Sequence, residues 1–121
     1  MNEIKEFYDS NGYFFPINAA DNKKIDKAAD KLINLGIKKV IITLGEKGLF
    51  YFDGKEEIFL KATSVKAIDT TGAGDAFNGA LAFGLSKGKS VKECLHLANK
   101  VAGISTTKLG AGNAMPYFSD I

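Results

Sequence analysis

The chain has 121 residues, of which 45% are hydrophobic and 25% charged, and its formal net charge is +2 at pH 7. These values predict one globular domain over residues 1–121, and a charge so near zero gives no reason to expect nucleic acid or a membrane surface as a partner. The single cysteine and the single histidine exclude an internal disulfide and a metal site made of thiolates or several imidazoles.

The chain contains no apolar run approaching the roughly 20 residues that span a bilayer, and its first residues lack the apolar stretch of a secretion signal. We therefore expect a cytoplasmic protein.

The first twenty residues are the least informative. Asn2 to Ser10 fits a short helix, Asn11-Gly12 predicts a turn, and Tyr13 to Pro16 fits either a strand or a packed loop.

A helix is predicted after Asp21, because apolar residues then recur at helical spacing. Asp21 or Asn22 can cap its start, and Gly36 can end it in the left-handed conformation. The run Val40-Ile41-Ile42 predicts a strand buried on both faces, and this order of elements is typical of a parallel-sheet α/β fold. The residues that carry the helical spacing are Ile25, Ala28, Ala29 and Leu32.

A hairpin and two more helices are predicted next. Leu49 to Phe52 and Glu57 to Leu60 fit its strands, with Asp53-Gly54 in a tight type I′ turn. Thr63 to Ile68 looks extended. One helix should then run to about Ser86, with Gly79 and Gly84 allowing a neighbour to approach, and a second should begin at Ser90 as its cap. The apolar stripe of that second helix is Val91, Cys94, Leu95, Ala98, Val101 and Ala102.

The most informative segment joins the predicted strand to the first of these helices through Thr70-Thr71-Gly72-Ala73-Gly74. Unpaired amides at a helix start, together with the helix dipole, form a cradle for an anion such as a phosphate. Asp75 follows directly, and a carboxylate there makes sense if it must take a proton from an attacking hydroxyl while the cradle holds the transferred group. The alternative is that Asp75 only stabilises the first turn, by about 0.3–1 kcal/mol.

Three segments together resemble the ribokinase (PfkB) family of carbohydrate kinases. VKAIDTTGAGDAFNGAL at Val65–Leu81 is similar to the family's C-terminal signature, and ITLGEKG at Ile42–Gly48 is similar to its nucleotide-binding strand and turn. LGAGNAMP at Leu109–Pro116 is similar to the ribokinase tail. The segments follow the family's order at family-like spacing. The resemblance implies a ribokinase-like α/β fold, with the C-terminal half of a mostly parallel sheet flanked by helices, and a β-hairpin.

The same resemblance implies an ATP- and Mg²⁺-dependent kinase that transfers a phosphoryl group to a sugar hydroxyl. Asp75 corresponds to the catalytic base, and Gly72, Ala73 and Gly74 to the anion hole. Thr43, Gly45 and Gly48 correspond to the turn that approaches the nucleotide phosphates, and Asn99 to the helix that lines the adenine pocket. For Thr43, an ordinary strand position is the alternative.

A monovalent cation such as K⁺ is also implied by the resemblance. Its ligands would be Asp69 and the carbonyl groups of Thr71, Thr106, Leu109 and Ala111, although Asp69 alone could be a simple turn residue. A potassium ion behind the anion hole would strengthen its positive field. The family's Asn-x-x-Glu motif, linked to magnesium, is matched only by Asn2-Glu3-Ile4-Lys5, whose fourth residue is not Glu.

The family's kinases are much longer than this chain, which looks like a C-terminal fragment without the part that binds the sugar. We therefore expect its apolar sheet surface either to self-associate or to bind a complementary N-terminal chain. The alternative to a kinase is a truncated nucleotide-binding or dimerising module that has no kinase activity of its own. The sugar itself cannot be identified from these residues.

Overall fold

The computed structural model describes residues 22–121. The sequence predictions for Asn2–Ser10, Asn11-Gly12, Tyr13–Pro16 and an Asp21 cap lie outside these residues. The described elements are α1 (Asn22–Asn34), β1 (Val40–Thr43), β2 (Leu49–Phe52), β3 (Glu57–Leu60), α2 (Ala73–Ser86) and α3 (Val91–Ser105), with single 3₁₀ turns at Gly45–Lys47 and Phe118–Asp120. Within residues 22–121, no helix has both the length and the apolar character needed to cross a bilayer.

The described residues fall into two compact units, the first made of residues 22–44 and 50–59 and the second of residues 45–49 and 60–121. In the first unit, α1 places its apolar stripe on the core, as its spacing predicts. Gly36 follows the helix with φ 93°, which confirms the predicted left-handed end. The buried members of this core are Ile25, Ala28, Ala29, Val40, Ile42 and Phe50.

The three strands form one sheet in the order β1-β2-β3. The connections, residues 44–48 and 53–56, are too short for a crossover, so neighbouring strands are antiparallel. In β1, Val40 and Ile42 are buried, Ile41 is half-buried and Thr43 is exposed. The expectation that β1 is buried on both faces is therefore wrong for the described residues, because on its second face Ile41 is only partly covered and Thr43 is exposed.

The hairpin of β2 and β3 has the predicted bounds, but its turn is of another kind. A type I′ turn needs positive φ at both central residues, whereas of Asp53 and Gly54 only Gly54 has it, at 86°. Instead, Asp53 Oδ1 accepts hydrogen bonds from the amides of Lys55 (3.0 Å) and Glu56 (2.8 Å). These bonds hold the pKa of Asp53 below its usual value, so the carboxylate stays ionised and closes a longer loop.

Helices α2 and α3 pack against each other in the second unit. A Cβ on Gly84 would lie 2.8 Å from Sγ of the fully buried Cys94, which confirms that Gly84 allows the close approach. The same expectation is wrong for Gly79, because a Cβ there would meet no atom within 4 Å. The close contact between α2 and α3 therefore depends on the absence of a side chain at Gly84.

A complete capping box starts α3, as predicted. The Ser90 hydroxyl oxygen accepts from the Glu93 amide at 3.3 Å, and Glu93 Oε2 accepts from the Ser90 amide at 2.9 Å. Two of the amide groups at this helix end are thereby satisfied. The predicted apolar stripe is buried at Cys94, Leu95, Ala98 and Val101.

Replacing Ser90 by Ala should lower the free energy of unfolding by about 1 kcal/mol, because the Glu93 amide loses its acceptor. Urea denaturation monitored by circular dichroism measures the change. The control is Ser119→Ala, at an exposed residue whose side chain makes no hydrogen bond to the described residues. Equal stability of the two variants would show that the capping box does not stabilise α3.

Candidate active site

The segment that leads into α2, residues 61–72, is irregular in structure, so the predicted strand ending at Thr70–Gly74 is wrong. Two of its amides bond to a helix end rather than to a strand. The amides of Ile68 and Asp69 both donate to the carbonyl oxygen of Thr106, at 2.7 and 3.1 Å. The end of α3 therefore holds the chain immediately before the predicted anion cradle.

Gly72 is the residue at which the chain turns into α2. Its φ of 79° and ψ of 2° are left-handed, and a Cβ on it would lie 2.9 Å from Cβ of Ala111 and 3.4 Å from Cε of Met115. Both the backbone conformation and the space therefore require glycine here. Ala111 belongs to the third segment of the sequence analysis, so the start of α2 packs on that loop.

The amides at the start of α2 differ in what they bond to. Ala73 donates to the carbonyl of Thr70 at 3.2 Å, and Ala76 begins the helical ladder by donating to Gly72 at 2.9 Å. The amides of Gly72, Gly74 and Asp75 have no acceptor among residues 22–121. Of the three predicted donors, Gly72 and Gly74 are thus available and Ala73 is engaged. The amide of Asp75 is a further available donor, which the sequence analysis did not name. It is expected, because the amide of the third residue of a helix has no acceptor within the helix.

The Asp75 side chain lies in the first turn of α2 and is exposed. It makes no hydrogen bond or ion pair with the residues that the structure describes, and α2 has no side-chain cap. This position also satisfies the alternative in which Asp75 only stabilises the first turn, because an interaction with the helix dipole needs no hydrogen bond. A free carboxylate beside free amides can accept a proton from a group bound at those amides.

Asp69 connects two loops next to this helix start. Its Oδ1 accepts from the Thr71 amide and its Oδ2 from the Gly110 amide, both at 2.9 Å. Hydrogen bonds from the Thr71 side chain, then the Gly110 amide, then the Thr71 amide, lower the pKa of Asp69 to about 2. Asp69 is therefore ionised at neutral pH and fixes the loop at 110 beside the loop at 71.

The predicted cation ligands lie on these joined loops. Asp69 and Thr71 are in one loop, while Leu109 and Ala111 flank Gly110 in the other. The Thr106 carbonyl already accepts two amides, which occupy both of its lone pairs, so these bonds would have to weaken for it to bind a cation. The described residues include no cluster of three or more His, Cys, Asp or Glu side chains that could hold a metal ion.

The residues predicted to approach the nucleotide phosphates differ in character. Thr43 is exposed at the end of β1 in the first unit. Gly45 is exposed in the second unit and has φ 59°. Gly48 is buried with φ 106°, and a Cβ on it would overlap the carbonyl oxygen of Leu60. Gly48 therefore has a clear packing role beside β3, whereas Thr43 and Gly45 present accessible groups.

Asn99, the predicted adenine-site residue, is half-buried on α3. Its Nδ2 donates to the carbonyl of Lys61 at 2.7 Å. That bond uses one of the two amide hydrogens and leaves the second hydrogen and Oδ1 for another partner. Asn99 thus fixes the start of the irregular segment and still has hydrogen-bonding capacity.

Comparison with known proteins identifies the family of the chain. Residues 2–117 match the family described as pfkB family carbohydrate kinase. An uncharacterized sugar kinase of Archaeoglobus fulgidus is 43% identical over 93 residues, which cover 77% of this chain and 37% of that protein. The chain spans 31–37% of the length of the first curated relatives that it matches.

Solved structures show the same likeness. Ribokinase of Thermotoga maritima has a TM-score of 0.76 and 38% identity, covering 98% of this chain and 38% of that one. Ribokinase of Arabidopsis thaliana, solved with ribose and ATP, has a TM-score of 0.78 and 35% identity, covering 84% and 33%. These likenesses confirm the ribokinase-like α/β fold that the sequence motifs predict. The chain therefore belongs to the pfkB family of carbohydrate kinases.

Proposed function

We propose that this chain supplies the nucleotide-binding and proton-accepting part of an ATP-dependent sugar kinase. In the reaction, a sugar hydroxyl attacks the γ-phosphorus of ATP, the bond to the β-phosphate oxygen breaks, and Asp75 takes the hydroxyl proton. The observation that carries the proposal is the combination of three free amides at Gly72, Gly74 and Asp75 with an exposed, unbonded Asp75 carboxylate in the same helical turn.

The free amides suit a phosphoryl group in transfer, since charge develops on its oxygens and fixed donors need no reorganisation to stabilise it. A carboxylate beside a phosphate repels it, so Asp75 would weaken a site whose only task was to hold phosphate. Its position is useful when the neighbouring hydroxyl must lose a proton. Family membership and the likeness to a ribokinase that binds ribose and ATP support a sugar as the acceptor.

The residues proposed for ATP are those that the family resemblance assigns to nucleotide binding. We propose Thr43 and Gly45 near the phosphates, with Gly48 shaping their turn, and Asn99 near the base. The exposure of Thr43 and Gly45 and the unused hydrogen-bonding groups of Asn99 support these roles. Mg²⁺ would accompany ATP, and the Asn2–Lys5 segment that we associate with it lies outside the described residues.

The joined loops fit a monovalent cation such as K⁺. Asp69 is ionised, and a carboxylate oxygen has lone pairs beyond the one that each amide uses. We propose Asp69 and the carbonyls of Thr71, Leu109 and Ala111 as ligands, with Thr106 joining if its two bonds weaken. A bound cation there would add positive potential behind the free amides.

A second candidate is a nucleotide-binding or dimerising module without kinase activity of its own. The exposure of Ile68 (61%) and Leu109 (75%) near the helix start favours it. Such apolar surface is typical of a contact with another chain or segment. A coupled assay with ribose, ATP, Mg²⁺ and K⁺ separates the candidates, since nucleotide binding without turnover identifies the module.

In the complete kinase, with the part that binds the sugar present, replacing Asp75 by Asn should lower phosphoryl transfer in that assay by about 10²–10⁴-fold, because the hydroxyl loses its proton acceptor. We expect the chain alone to be inactive. ATP affinity, measured by isothermal titration calorimetry, should stay nearly unchanged. Equal losses of turnover and ATP affinity would instead identify Asp75 as a structural residue.

Replacing Gly74 by Val should leave the fold intact, because a Cβ there meets no atom within 4 Å and its φ is not positive. The branched side chain would obstruct the free amides of Gly74 and Asp75, so ATP should bind about tenfold more weakly while AMP binding is unchanged. Gly79→Val, at another open helical glycine, is the matched control. Equal ATP affinities of the two variants would contradict the anion-hole assignment.

The Asp69 bonds should respond to pH in a defined window. Because the folded pKa is lowered from 3.8 to about 2, their stabilising effect is fully present above about pH 4 and is lost as pH falls towards 2. The NMR shift of the Gly110 amide should follow pH with a midpoint near 2, and Asp69→Asn should abolish this titration. In the Asp75→Asn control it should persist. A midpoint near 3.8 would show that the two loops are not joined through Asp69.

A further inference from the structure

We propose that one face of α3, formed by Asn99, Gly103 and Thr106, positions the phosphate-binding amides at the start of α2. This inference rests on the proposed function and goes beyond it. It assigns Gly103 and its contact residue Thr63 as positioning residues, neither of which is among the groups proposed to bind ATP. Their effect on the reaction passes through the irregular segment 61–69.

The three residues of this face are spaced i, i+4 and i+7, so they lie along one side of the helix. Each holds the irregular segment at a different point. Asn99 Nδ2 donates to the Lys61 carbonyl at 2.7 Å, and the Thr106 carbonyl accepts from the amides that end the segment, at 2.7 and 3.1 Å. Both ends of the segment are thus fixed to the same helix.

Gly103 provides the middle contact, and its missing side chain is what permits it. A Cβ on Gly103 would lie 2.9 Å from Cβ of Thr63, closer than real Cβ atoms approach. The φ of Gly103 is not positive, so the backbone conformation does not require glycine. The Thr63 hydroxyl donates to the Asn99 carbonyl at 3.3 Å, which seats Thr63 directly on the helix. Space for Thr63 is therefore the physical reason for glycine at position 103.

The segment has few other restraints within the described residues. It pairs with no strand of this part of the chain, and residues 64–68 are all exposed. Asp69 is its last residue, and the Asp69 carboxylate fixes both Thr71 and Gly110 beside Gly72. The inference is that the bonds of Ile68 and Asp69 to Thr106 depend on where Thr63 sits, so that a displacement at Thr63 shifts Asp69 and with it the amides of Gly72 and Gly74.

The experiment compares three variants of the full chain. Gly103→Ala pushes Thr63 off the helix, and the double variant Gly103→Ala/Thr63→Gly removes the overlapping Cβ. Gly79→Ala adds the same methyl group to a helix where it meets nothing within 4 Å. The affinities for ATP and for AMP are both measured by calorimetry, and the difference between them gives the contribution of the outer phosphates. The NMR shifts of the Gly72 and Gly74 amides report their position without ligand.

We expect Gly103→Ala to reduce the preference for ATP over AMP about tenfold, with AMP affinity unchanged, because displaced amides lose charge-assisted hydrogen bonds. The Gly72 and Gly74 shifts should move in this variant and return in the double variant, whereas Gly79→Ala should change neither measurement. Equal loss of ATP and AMP affinity, or unmoved shifts, would overturn the positioning role.

A wild-type chain with no preference for ATP over AMP would contradict the proposed function instead. The amide shifts would still decide the positioning role in that case, because they need no nucleotide. Failure of the double variant to restore the shifts would show that contact with Thr63 is not how Gly103 acts.

Discussion

The geometry of the candidate site depends on one carboxylate, that of Asp69. A helix start leaves its first amides unpaired, but those amides can act on a phosphate only if the chain before the helix is fixed. Here that chain is irregular and has no described strand beside it, so Asp69 replaces sheet pairing by bonding to Thr71 and Gly110. Gly72 can then take its left-handed conformation against Ala111. The position of the free amides follows from these contacts.

The arrangement separates two carboxylates that are six positions apart. Asp69 has its oxygens engaged by amides, and its pKa falls to about 2, which makes it a permanent structural anion. Asp75 is exposed and bonded to no described residue, which leaves its oxygens accessible to an incoming hydroxyl. The same residue type thus fixes the geometry at one position and is proposed to accept a proton at the other. Hydrogen bonding, rather than burial, distinguishes the two roles.

Sequence reasoning succeeded where the signal was local. The Ser90–Glu93 capping box, the left-handed Gly36 and the spacing of α1 each depend on neighbouring residues, and the structure has all three. Reasoning failed where a distant partner decides. A strand is predicted before α2, yet the amides of Ile68 and Asp69 find their acceptor at Thr106, which no local pattern could indicate. The motifs located the helix start, but not which of its amides remain free.

Three glycines of the second unit illustrate why composition alone could not define the site. Gly72 is required by both conformation and space, Gly84 by the sulfur of Cys94, and Gly103 by Thr63 alone. In the sequence, each of the three is only a residue that permits unusual backbone conformations and close contacts. The reason for glycine at each position becomes clear only from the residue that it contacts in the structure. Because two of these neighbours come from segments without regular structure, small side chains allow α2 and α3 to hold such segments at short distance. In the second unit, the helices hold these loops at short distance, and the start of α2 carries the groups proposed for the chemistry.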